Sequence, residues 1–127
     1  MKLLKNQKGQ GLVEFALILP VLILILMAII EFGFMFNSYL TLSNGVREAG
    51  RSAALGADDA TVELRLREAA SSLDGSQLAI TVTPAHRSRG DQITVEATYT
   101  YQFLTPIISG IFGSGVTLES DIKVRME

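Results

Sequence analysis

The sequence contains no cysteine, which excludes disulfides, thiolate metal sites and cysteine nucleophiles. His86 is the only histidine, and it stands in a polar stretch, so a pair of histidines that could bind a metal ion does not exist. The sequence also has neither a nucleophile motif nor a phosphate-binding glycine loop. We therefore expect a protein that is not an enzyme and that holds no metal and no cofactor.

Charge is also scarce, with a formal net charge of −2 over 127 residues. The basic residues Lys2, Lys5 and Lys8 precede the first apolar run, and no acidic residue accompanies them. Without residues 1–9 the chain would carry 8 basic and 13 acidic residues, a net charge of −5. Such a chain offers no basic stripe for phosphates, and we expect no nucleic-acid partner.

The longest apolar run extends from Leu12 to Phe36 and is interrupted only by Glu14 and Glu31. About 20 such residues span the hydrocarbon core of a bilayer as a helix. A chain this short has too little else to cover a helix that is hydrophobic all round. The run therefore predicts a transmembrane helix over residues 10–36. Pro20 lies inside this span and should kink or loosen the helix, which neighbouring helices can compensate in a membrane.

The lysines predict the orientation of the span, because basic residues favour the cytoplasmic side. Residues 1–9 would then form a cytoplasmic basic leader, and residues 37–127 an extracytoplasmic domain. A secretory signal peptide is a poor alternative, since its apolar region has only ~7–15 residues and ends at a small-x-small cleavage site. The segment Met27–Glu31 contains no such site. Glu31 should lie near the outer head groups, where a charge costs little.

The helical pattern continues beyond the membrane, from Asn37 to about Leu55. Small residues recur there at every fourth position, and on a helix they form one face that allows close approach of another backbone. These residues are Gly45, Ala49, Ala53 and Ala57. The stripe predicts a packing seam, either against this domain or against a neighbouring subunit. Arg47, Glu48 and Arg51 are best interpreted as the solvated face of the same helix.

A second, shorter helix should follow, with Asp58 or Asp59 as its cap and Asp74–Gly75 as its end. Its amphipathic face is predicted from spacings of 4, 3 and 4 residues. The members of that face are Val62, Leu66, Ala69 and Leu73.

Three runs with alternating polarity then predict strands over 78–83, 93–101 and 116–124. Turn-rich connections between them favour an antiparallel meander with one buried face. The predicted fold class is therefore α+β, with a long N-terminal transmembrane helix that extends out of the membrane, a second short helix and a three-stranded antiparallel sheet. The apolar, glycine-broken connection 104–115 either lies on the membrane surface or a partner, or folds back over its own sheet.

The segment with the clearest chemical pattern is Lys8-Gly9-Gln10-Gly11-Leu12-Val13-Glu14-Phe15. A carboxylate at the start of a membrane helix costs free energy unless it finds a partner. If the chain were cleaved between Gly9 and Gln10, the new amine would lie about one helical turn before Glu14. That amine could pair with Glu14 in the same chain or in a staggered neighbour.

This pattern resembles the type IV prepilin family, in which a short basic leader ends in glycine and the fifth mature residue is glutamate. Counted from Gln10, Glu14 is the fifth. The continuation from Gly11 to Pro20, together with Glu31-Phe32-Gly33 and the segment Arg47–Arg51, is similar to TadE-like proteins of the tight-adherence pilus system. The resemblance covers about residues 7–55.

The resemblance implies a pseudopilin or minor pilin-like component that a prepilin peptidase processes at Gly9 and Gln10. It implies that Glu14 and Phe15 serve assembly and recognition, and that Pro20 belongs to the packing helix. The implied partners are the lipid bilayer, the peptidase, other pilin or pseudopilin subunits and pilus assembly proteins. The protein would be a single-pass protein of the cytoplasmic (inner) membrane, retained there or added to a surface fibre. The alternative is an uncleaved, membrane-tethered interaction or sensing domain.

Overall fold

The computed structural model describes residues 7–127. Most of the predicted leader, including Lys2 and Lys5, lies outside the described residues. The elements follow one another as α1 (Gln7–Ala54), α2 (Asp59–Ala69), a short 3-10 turn (Gly75–Gln77), β1 (Leu78–Thr83), β2 (Gln92–Gln102), α3 (Pro106–Phe112) and β3 (Gly115–Arg125). The prediction of an α+β fold with a long N-terminal helix, a further short helix and a three-stranded antiparallel sheet is confirmed.

The helix α1 runs without a break through 48 residues, which corresponds to about 72 Å at ~1.5 Å per residue. Pro20 lies inside it and does not end it. Its most apolar 18-residue window has no buried residue, so nothing within residues 7–127 covers that part. A helix that is apolar on all sides and uncovered is expected in a lipid bilayer, where apolar side chains need no cover from protein. The bilayer offers no hydrogen-bond partners, and a helix pairs its backbone groups internally.

The three strands form an antiparallel sheet in the order β1-β2-β3. β2 pairs with both neighbours, with Ala97 opposite Ile80 on one side and opposite Ser120 on the other. Along β2 every second residue is buried, as the alternating pattern predicted, and the buried residues are Ile93, Val95, Ala97, Tyr99 and Tyr101. The observed β2 and β3 are each one residue longer at both ends than the predicted strands.

The core lies between this face of the sheet, the distal half of α1 and the helix α2. From α1 it contains Leu42, Val46, Ala49 and Ala53, and from α2 and its end Val62, Leu66 and Ala70. The Asp58 carboxylate caps α2 by accepting a hydrogen bond from the Thr61 amide at 2.9 Å. The predicted face of α2 is wrong at Ala69, which is exposed, whereas Ala70 is buried. The reason is that residues 62, 66 and 70 follow one another at four-residue spacing and all face α1.

The connection 104–115 contains a third helix, α3, which the sequence does not predict. Its first residue is Pro106, whose missing N–H costs nothing at a helix start. Gly113, with φ of 92°, ends it in a conformation that side chains rarely adopt. The helix places the connection beside α1 rather than over the buried face of the sheet, as the contacts of Glu31 show below.

Candidate functional site

The predicted processing and assembly residues lie at the beginning of α1. Gly9 and Gln10 are in its first turns, and the side-chain amide of Gln10 lies 3.5 Å from Glu14 Oε1, one turn further on. This distance is at the upper limit for a hydrogen bond. Glu14 and Phe15 are both exposed. Gln10 and Glu14 therefore lie one helical turn apart, the pairing of Glu14 with an α-amine on Gln10 stays a prediction, and the carboxylate keeps capacity for a further donor.

The predicted packing residues fall into two groups. Pro20 is exposed on the uncovered part of α1. Gly45, Ala49 and Ala53 are buried in the domain's own core. A Cβ at Gly45 would lie 3.2 Å from the Leu66 carbonyl oxygen and 3.3 Å from Ala70 Cβ, so α2 lies directly on this stripe. The sequence left open whether this seam packs against the domain of the same chain or against a neighbouring subunit. In the structure it packs against α2 of the same chain.

A second close approach involves Gly50, which the four-residue stripe does not include. A Cβ on Gly50 would lie 2.7 Å from Ile122 Cγ2, closer than side chains pack. The backbone of α1 therefore touches β3 at this point. Nearby, the hydroxyl groups of Ser43 and Ser120 lie 3.3 Å apart, which continues the contact between helix and strand. Gly50 belongs to the segment Arg47–Arg51, and the resemblance of that segment to TadE-like proteins was the only indication in the sequence that this glycine matters.

Glu31 is the buried carboxylate of the protein's described part, and only 4% of it is exposed. Its Oε1 atom accepts hydrogen bonds from the Leu104 amide at 2.7 Å and from the Tyr101 hydroxyl at 3.2 Å. Its Oε2 atom accepts from the Thr105 hydroxyl at 3.0 Å. We call these four residues the Glu31 clamp. Three hydrogen bonds converge on this one side chain of α1, so the clamp holds the end of β2 on α1.

That Glu31 lies near the level of the outer head groups stays a prediction, but its side chain is buried and hydrogen-bonded within the protein instead of exposed to them. The sequence shows an acidic residue near the end of an apolar run, but its three donors stand about 70 residues later in the chain. A buried carboxylate without donors would be very costly, and this cost explains why the three donors converge on it.

The clamp also affects Tyr101. Burial raises the pKa of the Tyr101 hydroxyl to about 12, and the nearby Glu31 carboxylate, which accepts its hydrogen bond, acts in the same direction. Tyr101 therefore stays protonated and donates to Glu31 throughout the physiological pH range. Its ring packs edge to face with Phe103, with centroids 6.0 Å apart.

An apolar pocket of about 450 Å³ opens beside the clamp, between α1 and the connection that contains α3. Ala28, Phe32 and Met35 line it from α1, and Phe103, Ile108 and Phe112 line it from the other side. Glu31 is at its edge with its oxygens already bonded, so the pocket offers apolar contact rather than a charged group. Between residues 7 and 127, no group of three or more His, Asp or Glu side chains could hold a metal ion.

These features define a class of protein: a small α+β domain built on the distal half of one long helix whose proximal half is suited to a membrane. One helix of the described chain, from Gly9 to Ala54, is long and apolar enough to cross a bilayer. Within this class, residues 9–51 match the family model described as TadE-like protein, which confirms the resemblance stated from the sequence. The match covers about a third of the 127-residue chain.

No curated protein and no solved structure matches the chain. The similarity to TadE-like proteins therefore lies entirely in α1. It includes Gly9, Gln10 and Glu14 at the start, Glu31 of the clamp, and Gly50 at the contact with β3. Glu31 and Gly50 thus lie inside the matched segment, whereas Ala53 at the end of the helix and the strands themselves lie outside it.

Proposed function

We propose that this chain is a pseudopilin or minor pilin-like structural component of a tight-adherence, type IV-related pilus assembly system. The observation that carries the proposal is the TadE-like match over residues 9–51, which coincides with the helix that could cross a membrane. The remainder of the chain contributes a compact outer domain whose core is shared with that helix. Such an arrangement suits a subunit that is held by its helix and presents its domain to neighbours.

Processing by a prepilin peptidase belongs to the proposal. Cleavage between Gly9 and Gln10 would create a positive α-amine on Gln10, a residue whose side-chain amide lies 3.5 Å from Glu14 Oε1. In lipid an unpaired carboxylate is expensive, so the new amine and Glu14 would stabilise each other, either within one chain or between staggered chains. The exposure of Glu14 leaves it accessible to a neighbouring subunit.

The orientation and location are proposed on the same basis. Lys2, Lys5 and Lys8 would keep the N-terminus in the cytoplasm, and the domain after α1 would lie outside the cytoplasmic (inner) membrane. Phe15 and Pro20, both exposed on the proximal helix, would contact lipid or the helices of other pilin-like subunits and pilus assembly proteins. We propose no catalytic activity.

The deciding experiment is the intact mass of the protein extracted from membranes of a host that has its own prepilin peptidase. Loss of residues 1–9 is expected. A matched Gly9→Leu variant should keep its full mass, because a bulky side chain replaces the glycine before the cleaved bond. A full-length mass for the unaltered chain, in cells where the peptidase demonstrably cleaves another substrate, would contradict the proposal and leave a tethered interaction or sensing domain.

A further inference from the structure

The helix α3 and Leu104, two residues before it, expose an apolar surface that the core does not use. This surface, which we call the α3 surface, consists of Leu104, Ile107, Ile111 and Phe112. Ile111 is 67% exposed and Phe112 is 72% exposed. The whole stretch between Glu96 and Glu119 contains no charged residue. A patch of this kind on an isolated soluble domain would be costly, which indicates that something covers it.

The position of the α3 surface along α1 indicates its surroundings. Phe112 lines the same pocket as Ala28 and Phe32, so α3 lies beside the last turns of the apolar run that ends at Phe36. From Leu12 to Ala28 the helix rises about 24 Å, and the hydrocarbon core is ~30 Å thick. If α1 crosses the membrane, α3 is therefore level with the outer leaflet.

The charged residues of the domain are distributed unevenly along the direction of α1. At the end near Glu31 the sheet consists of uncharged residues, whereas the charged residues of β3 lie towards its other end. These are Glu119, Asp121, Lys123 and Arg125. That far end is held at the end of α1, where the Glu127 amide donates to the Ala54 carbonyl oxygen at 2.9 Å. The polarity of the domain thus increases with distance from the span.

We propose that the α3 surface is a second membrane contact of this protein, seated in the interfacial region of the outer leaflet, with lipid as its occupant. Lipid is favoured over a second copy because Phe112 of this surface lies beside Ala28 and Phe32 of the apolar helix, whose side chains at this level, such as Ile29 and Ile30, are exposed and suited to lipid. The inference rests on α1 crossing the membrane and does not need the pilus role.

The depth of the contact follows from the backbone. The Gly113–Ser114 turn after α3 is irregular, and unpaired backbone groups are not tolerated in the hydrocarbon core. Apolar helices that lie in the plane of the interface bury their apolar face by ~5–10 Å at the boundary between head groups and acyl chains. The Glu31 clamp fixes the start of α3 on α1, so the depth of α3 is tied to that of the span.

Tryptophan reporters can test this placement, because the chain has no tryptophan of its own. The full chain would carry Ile111→Trp or, as a second reporter, Phe112→Trp. It would be reconstituted into phosphatidylcholine vesicles with bromine on the acyl chains, either near the head group or near the chain end. Leu22→Trp, in the middle of the apolar run, and Leu64→Trp, exposed on α2, are the two controls.

Both α3 reporters should lose emission most strongly with bromine near the head group. L22W should be quenched best near the chain end, and L64W should keep its emission. If L22W is quenched while I111W and F112W behave like L64W, the inference is overturned and the span stands. If both reporters become shielded from brominated lipid as the protein-to-lipid ratio rises, a second copy covers the surface and lipid is the wrong occupant. If L22W is also unquenched, the span and the inference fail together.

Discussion

The Leu104 amide donates a 2.7 Å hydrogen bond to Glu31 Oε1, although 73 residues separate the two in the chain. Leu104 follows the end of β2, and Glu31 lies on α1 at the level of the last apolar turns. This one bond therefore joins the outer domain to the part of α1 that is suited to a membrane. The Tyr101 and Thr105 hydroxyl groups donate the other two hydrogen bonds that the Glu31 carboxylate accepts.

Replacing Glu31 by alanine should release this connection. Three donors would lose their acceptor, and for the buried Tyr101 hydroxyl alone an unpaired donor costs about 1–3 kcal/mol. Amide hydrogen exchange at Leu104 in the detergent-solubilised protein should become faster. Glu48→Ala, an exposed carboxylate on the same helix, is the matched control and should leave this amide unchanged. Unchanged exchange at Leu104 in the Glu31 variant would show that the clamp does not hold the connection.

The raised pKa of Tyr101 predicts that the folded protein loses stability at high pH. Its pKa is raised from 10.0 to about 12 in the folded protein by burial and by Glu31. A raised pKa contributes stability that is fully present below the unfolded value of 10.0 and disappears as the pH rises through about 12. An ultraviolet titration should show one tyrosine that ionises late, and Tyr101→Phe should remove that component. Tyr39→Phe, an exposed tyrosine on α1, should instead leave it in place.

Gly50→Ala should destabilise the domain, because the new methyl group would lie 2.7 Å from Ile122 Cγ2. Overpacking of this kind costs about 1–3 kcal/mol. Gly33→Ala is the matched control on the same helix, since nothing lies within 4 Å of its Cβ position and alanine favours a helix. Thermal unfolding in detergent should show a lower midpoint for the first variant only.

The clash itself can be isolated with a double variant. Ile122→Ala removes the methyl group that a Cβ on residue 50 would meet, so the combined variant should lose less stability than the two single changes together. Strict additivity would mean that the cost of Gly50→Ala arises elsewhere in the helix.

Glu14→Ala should impair assembly without affecting membrane insertion. The carboxylate is exposed, and the Gln10 amide at 3.5 Å is a weak partner, so Glu14 remains accessible to an amine. A loss of pairing worth about 1.4 kcal/mol would lower incorporation by roughly tenfold. Incorporation into purified fibres or cross-linking to neighbouring subunits measures the first effect, and resistance to alkaline extraction measures the second. Glu14→Gln should be nearly as impaired, because it keeps the shape but not the charge; full assembly by either variant would remove the carboxylate from the mechanism.

Local pattern was sufficient to predict the three strands and the helix α2 of the domain. The alternation along β2 predicts which residues are buried, because successive side chains of a strand point to opposite faces. The four-residue spacing of Gly45, Ala49 and Ala53 likewise predicts a seam. It does not say that α2 fills the seam, since that depends on a chain reversal near Gly56.

The clamp and α3 could not be predicted in the same way. Glu31 acquires its donors only when β2 returns to the level of the membrane, and no local pattern encodes a pairing over that distance. Gly50 is similar, because its importance depends on Ile122 standing opposite. α3 was missed because Ser109 and Gly110 weaken its helical pattern, whereas in the fold Pro106 and Gly113 define its two ends.

The unbroken course of α1 has a mechanical consequence. The domain grips the helix at two levels, at Glu31 and again around Ser43 and Gly50, which are at least about 18 Å apart along the axis. Because the domain contacts the helix at two separate levels, the domain and the helix cannot pivot relative to each other between those levels. A translation of the helix along its axis, or a rotation about it, therefore moves the domain by the same distance and through the same angle.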